Sequence, residues 1–149
     1  MIEVRQGTSK DIEQLVVLFE AYRNFYRQQP AKDQATQFLS ERFINNDSVI
    51  FIAFDQSKNE TVGFTQLYPT FTSIRMKKSW ILNDLFVSEK RRGQGISKLL
   101  INAAKEHCIA TKTFGLLLET ERTNIVGNKL YPSTGFTKET SNFYYWINK

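Results

Sequence analysis

Residues 80–108 read WILNDLFVSEKRRGQGISKLLINAAKEHC, and the rest of the chain is arranged around them. Trp80 to Val87 is apolar, rich in strand-forming residues and free of a breaker. Ser88 to Gly95 is a turn with three consecutive cations, Lys90, Arg91 and Arg92, followed by Gly93-Gln94-Gly95. From Ile96 onward the apolar positions are Ile96, Leu99, Leu100, Ala103, Ala104 and the pair His107/Cys108. That spacing is the stripe of an amphipathic helix. The stretch predicts a strand, a basic glycine turn and a helix.

Such a turn has a physical use. The first N–H groups of a helix lack partners within it, and the helix dipole places partial positive charge there. Glycine lets a ligand come close to the backbone. A phosphate is the expected guest, and the flanking cations favour it further. Two common phosphate loops do not fit. A Walker loop requires G-x-x-x-x-G-K-[ST], whereas Gly93 and Gly95 are followed by Ser97-Lys98. A dinucleotide fingerprint requires a third glycine where Lys98 stands.

Val87-Ser-Glu-Lys-Arg-Arg92-Gly-Gln-Gly95-Ile-Ser97 resembles the acetyl-CoA motif of the GNAT acyltransferase superfamily, V-x-x-x-x-[QR]-x-x-G-x-[GA]. Arg92 falls on the Gln/Arg position and Gly95 on the glycine, while Ser97 replaces the usual Gly or Ala. Asn124-x-x-Gly127-x-x-Leu130-Tyr131-x-x-x-Gly135-Phe136 is similar to a second block of that family, N-x-x-A-x-x-[FL]-Y-x-x-x-G-F. The resemblance covers nearly the whole chain. It implies an α/β GNAT fold, a mixed and mostly antiparallel sheet of about seven strands with about four helices, in one domain over residues 1–149.

The resemblance also implies a chemistry: N-acetyl transfer from acetyl-CoA to an amine by direct attack, without an acyl-enzyme. The N–H groups of Gly93, Gln94, Gly95, Ile96, Ser97 and Lys98 would hold the CoA pyrophosphate, with Arg92 nearby. Leu85, Phe86 and Val87 would pair through backbone with the pantetheine arm, and Asn124 would contact it. Tyr131 would touch the cofactor and protonate the departing thiolate. Ile81 to Val87 also resembles the L-E-D-F-F-V stretch of diamine acetyltransferases. Asp84 falls on their Asp, but Asn83 stands in place of their Glu, and an amide cannot serve as a base. Asp84 is then the candidate to attract a cationic amine or to position a water that accepts its proton. A solvated or ion-paired carboxylate is the structural alternative. Small amines, amino acids and protein amines all stay open as acceptors.

The bulk properties agree with a globular enzyme. The 149 residues form one domain, long enough to bury about two-thirds of the unfolded surface. Hydrophobic content of 41% and aromatic content of 13% are those of an ordinary folded protein. No apolar run approaches the ~20 residues of a membrane span, and no signal peptide follows Met1. The single Cys cannot form an internal disulfide, which suits a reducing cytoplasm. The net charge of +5 raises nucleic acid as a partner. The cations are spread, however, and cluster only at the glycine turn, which favours a polyanionic cofactor over a nucleic-acid footprint.

In chain order, Ile2 to Gln6 alternates as a strand, and Thr8 with Asp11 forms a capping box. Ile12, Leu15, Val16, Phe19, Tyr22 and Tyr26 make one helical stripe, aromatic at its far end. Tyr22 and Tyr26 either pack the core or wall the acceptor pocket together with Asn83. Gln29-Pro30 breaks the helix, and Ala31 to Asn45 is a second one. Ser48 to Phe54 and Thr61 to Tyr68 form a hairpin, with Pro69 to Lys78 as a basic loop. Phe114 to Thr120 is a strand, Asn124 to Tyr131 a short helix, and Phe136 to Lys138 with Asn142 to Ile147 a terminal hairpin.

Two further features bear on chemistry and assembly. His107 and Cys108 are adjacent and have no spaced ligand partners, so no metal site is expected. Phe143-Tyr144-Tyr145-Trp146 is apolar on both faces of its expected strand. Either helices of the same chain cover it or a second copy does, making a homodimer. The rival to an enzyme is a GNAT fold that binds acyl-CoA or a partner without turnover.

Overall fold

The alternation at the start of the chain becomes β1 (Ile2–Gln6). Thr8 then caps the first helical layer: its Oγ1 accepts from the Lys10 N–H at 3.3 Å, while Asp11 Oδ2 accepts from the Thr8 N–H at 2.8 Å. A single 3-10 turn leads into α1 (Ile12–Phe25), and α2 (Lys32–Asn45) follows the Pro30 break. The hairpin is β2 (Val49–Asp55) and β3 (Glu60–Thr72). Next come β4 (Lys77–Val87), α3 (Ile96–Ala110), the two-residue β5 (Leu116–Leu117) and α4 (Ile125–Ser133). The computed structural model describes all 149 residues, in two compact units, Met1–Glu119 and Thr120–Lys149.

In the first unit the sheet order is β1-β2-β3-β4-β5. All neighbours are antiparallel except β4 and β5. A parallel neighbour needs a crossover, and α3 supplies it. One face of the sheet buries Leu15, Phe19, Leu39, Ile52, Phe64 and Phe86 with α1 and α2. The other buries Ala53, Val62 and Val87 against Ile96 and Leu100 of α3. Burying Ile96, Leu100 and Ile101 contributes about 1.5–3 kcal/mol each, which fixes the angle at which the glycine turn meets the sheet. The seam is rotated from the expected stripe: Leu99 is 43% exposed and Ile101 takes the buried place. No helix is long and apolar enough to cross a membrane.

The fold class is as expected, but the sheet has five strands rather than about seven. The terminal hairpin is not formed. Residues 136–149 carry no regular structure, and Phe143, Tyr144, Tyr145 and Trp146 are exposed, so neither a ladder nor burial holds them extended. The strand expected over residues 114–120 is reduced to its two ladder pairs, Trp80 with Leu116 and Ile81 with Leu117. The expected loop at 69–78 is mostly strand. Pro69 lies beyond the last β2 partner, Leu67, where β3 has become an edge that tolerates proline. The helix of the second unit runs through Pro132, in its last turn, rather than stopping at Tyr131.

Candidate functional site

The glycine turn and the entry to α3 have the geometry of an anion cradle. Gly93 (φ 76°) and Gly95 (φ 77°) both sit in the left-handed region that side chains disfavour. A Cβ at either would meet no protein atom within 4 Å, so the space in front of the backbone is open. Gly95 is the residue before α3, and its carbonyl accepts from Leu99 at 3.2 Å. No side chain caps this end, which leaves the N–H groups of Ile96, Ser97 and Lys98 without an intrahelical partner. Ile96 can contribute only backbone, because its side chain is buried beneath the turn.

The three cations of the turn separate into different roles. Arg91 is structural: its Nη1 lies 2.8 Å from Asp55 Oδ2 at the end of β2, and Asp55 is 3% exposed. The Ser57 hydroxyl, and then the Arg91 guanidinium, hold the Asp55 carboxyl well below the usual range. Arg92 hooks back, its Nε–H donating to the Val87 carbonyl at 3.1 Å and its guanidinium lying 5.3 Å from the Phe86 ring centre. Lys90, Gln94 and Lys98 are exposed. Beside this turn, β4 is open on one side. Its pairing with β5 ends at Ile81, so Leu85, Phe86 and Val87 have β3 on one flank and no strand on the other.

The second cluster lies on the α1–α2 face. The β3–β4 register shifts between Gln66 opposite Asp84 and Leu67 opposite Leu82, so Asn83 is the extra residue of a bulge. Asn83 faces outward, whereas Asp84 is buried at 4% exposure. Gln66 Nε2 donates to Asp84 Oδ2 at 2.6 Å and Asn83 Nδ2 to Asp84 Oδ1 at 3.0 Å. The Tyr22 hydroxyl donates to the Asn83 carbonyl at 3.4 Å, and it also lowers the Asp84 pKa. Burial outweighs these neutral donors and raises the Asp84 carboxyl above its ordinary value. Tyr22 packs edge-on against Tyr26, Phe64 and Phe86, with ring centres 5.2–6.1 Å apart.

In the second unit Asn124 caps α4. Its Oδ1 accepts from the Gly127 N–H at 3.1 Å and its Nδ2 donates to Thr120 Oγ1 at 2.9 Å. A Cβ at Gly127 would stand 2.6 Å from Asn124 Nδ2, so a side chain there would push the cap aside. Tyr131 lies in the last turn, half-buried, with its ring 5.8 Å from that of Phe136 in a T arrangement. The Phe136 N–H closes onto the Tyr131 carbonyl at 3.1 Å, helped by Gly135 at φ 96°.

The structure therefore gathers Tyr22, Tyr26, Asn83 and Asp84 at one place, and residues 92–98 at another. Asn124 and Tyr131 share α4. Two residues of the Asp84 cluster escaped sequence reasoning: Gln66, fully buried, and Ser48, whose Oγ donates to Gln66 Oε1 at 3.0 Å. No motif marks them, and only the β3–β4 register brings them to Asp84. Nowhere do three or more His, Cys, Asp or Glu gather to hold a metal.

The profile of the acetyltransferase (GNAT) family matches residues 13–136. A Bacillus subtilis protein named uncharacterized N-acetyltransferase YhfO is 40% identical over 147 residues, covering 99% of this chain and 97% of its own. The crystal structure of a probable acetyltransferase is 32% identical with a TM-score of 0.93, and 99% of each chain is covered. An aminoglycoside N-acetyltransferase solved in complex with CoA shares the fold at 18% identity, with a TM-score of 0.83 over 100% of this chain and 96% of that one.

Proposed function

The chain belongs to the GNAT acetyltransferase family, and from that premise we propose that it transfers the acetyl group of acetyl-CoA to a primary amine by direct attack. The observation that carries this reading is the pair of left-handed glycines with open space before them, at an uncapped helix start. Backbone N–H groups from Gly93 to Lys98 fit a pyrophosphate there. The open flank of β4 at Leu85–Val87 offers hydrogen-bonding groups to an extended amide arm. In this proposal Asn124 acts chiefly through its cap, which fixes the start of α4.

The acceptor must lose a proton, because a free alkyl amine has a pKa of about 10.4. Asp84 attracts the ammonium and takes that proton through a water, since only 4% of it is exposed. Tyr22, Tyr26 and Asn83 line the approach. The amine nitrogen forms the new C–N bond, the C–S bond breaks, and the Tyr131 hydroxyl protonates the leaving thiolate. A single Cys suits the reducing cytoplasm as the setting.

The test is a panel of polyamines, amino acids and peptides with acetyl-CoA, read by release of free thiol. We expect turnover with at least one cationic primary amine. No release with any of them, at saturating acetyl-CoA, would replace this reading with a binding module.

A further inference from the structure

A buried polar chain runs behind Asp84, and no catalytic motif accounts for it. It starts at Ser48, just before β2, crosses to Gln66 on β3 and ends at Asp84 on β4. Gln66 is 0% exposed. Its amide has two ends of similar shape, and the ionised Asp84 carboxylate, which only accepts, selects the Nε2 end. The Ser48 hydroxyl donates to the opposite end, Oε1, and so satisfies the amide while Nε2 faces Asp84. The reversed amide would set Oε1 against the carboxylate, two acceptors with no proton between them.

We infer that Gln66, backed by Ser48, is a positioning residue that keeps the buried Asp84 carboxylate ionised and so sets the lowest pH at which an amine is accepted. The inference rests on the proton-acceptor role of Asp84 in the proposed acetyl transfer. An amide nitrogen only donates, so at 2.6 Å the lone pair of Oδ2 that faces it must be free of a proton. Asn83 imposes the same condition on Oδ1 at 3.0 Å. Burial pushes the other way and raises the carboxyl. Of the groups that hold it down, Gln66 has the largest effect. The arrangement keeps a negative charge ready for a cationic amine where burial alone would neutralise it.

Three elements besides its own bring polar or charged groups toward Asp84. Tyr22 on α1 and Asn83 on β4 are neutral donors. Tyr68 on β3 senses the Asp84 charge, and burial first, then Asp84, raises its hydroxyl above its ordinary value, so it stays protonated. Arg42 on α2 also acts on Tyr68 and is paired with Asp47, Nε to Oδ1 at 2.9 Å.

The experiment titrates the Asp84 carboxyl by carbon NMR in Gln66→Met, Ser48→Ala and Ser48→Thr, beside the wild type. Methionine keeps the volume of Gln66 and removes the donor. Thermal melts confirm folding, and Ser48→Ala serves where Gln66→Met does not fold. In Gln66→Met the midpoint should rise by about one to two pH units, the worth of one donor bond to a charged group. Ser48→Ala should move it the same way by less, and Ser48→Thr should restore it. On an active amine the acid limb of kcat/KM should rise with the midpoint, at unchanged acetyl-CoA affinity. The inference is overturned if the midpoint stays put in the folded variants, or moves while the acid limb does not. If the wild type acetylates no amine, the acetyl-transfer reading fails by itself, and the carboxyl titration alone then decides the role of Gln66.

Discussion

Replacing Gly95 by valine tests the cradle most directly. Gly95 sits at φ 77°, and nothing lies within 4 Å of where a Cβ would stand. The substitution therefore has two separable effects. A side chain in the left-handed region costs about 1–2 kcal/mol, which at this size lowers Tm by roughly 2–8 °C. The side chain itself then occupies the space in front of the Ile96 and Ser97 N–H groups. Hydrogen bonds to a charged group are worth about 1.5–3 kcal/mol each, so losing two weakens acetyl-CoA binding by about 10²–10⁴-fold. Gly95→Asn separates the two effects, because asparagine tolerates the left-handed region yet still fills the approach. Calorimetric titration with acetyl-CoA should show both variants weakened, with only valine losing much Tm. A folded Gly95→Val protein that binds acetyl-CoA with wild-type Kd would refute the reasoning.

Tyr131→Phe keeps the ring against Phe136 and removes only the oxygen. It should lower kcat by about 10²–10⁴ with acetyl-CoA affinity little changed; a wild-type kcat on an active amine would end the general-acid assignment. Asp55, whose folded pKa is depressed, adds stability that is present above the unfolded midpoint of about 3.9 and is lost as pH falls through the lower folded value. Urea midpoints taken from about pH 7 down to about pH 3 should therefore fall more steeply for the wild type than for Asp55→Asn. Parallel curves would show that the Ser57 and Arg91 contacts contribute nothing to acid stability.

What could be read in the sequence was local. The capping box of Thr8 and Asp11, the hairpin of β2 and β3, and the glycine turn into α3 each depend on a few neighbouring residues. Arg91 and Arg92 look alike as letters. Only the fold sends one to Asp55 and the other back to Val87. Gln66 was equally hidden, because its partner is 18 positions away and a bulge at Asn83 shifts the register that joins them. The terminal aromatic run misled for the opposite reason. Its composition suits a strand, but a strand also needs a neighbour, and composition does not supply one.

The opposing influences on Asp84 match the demands of the proposed amine acetylation. An ammonium about 4 Å from a carboxylate gains roughly 4 kcal/mol at an effective dielectric of 20, so capture favours a charged Asp84. Proton transfer favours the reverse. A carboxyl of ordinary pKa is a poor acceptor from an amine, and each pH unit by which burial raises that pKa removes about 1.4 kcal/mol from the uphill step. Full burial without donors would leave the carboxyl neutral and unable to attract the amine. Donors without burial would leave it too weak a base. Asp84 has both, with 4% exposure on one side of the balance and the Gln66 and Asn83 amides on the other. A group tuned in this way can hold a cation first and accept its proton afterwards.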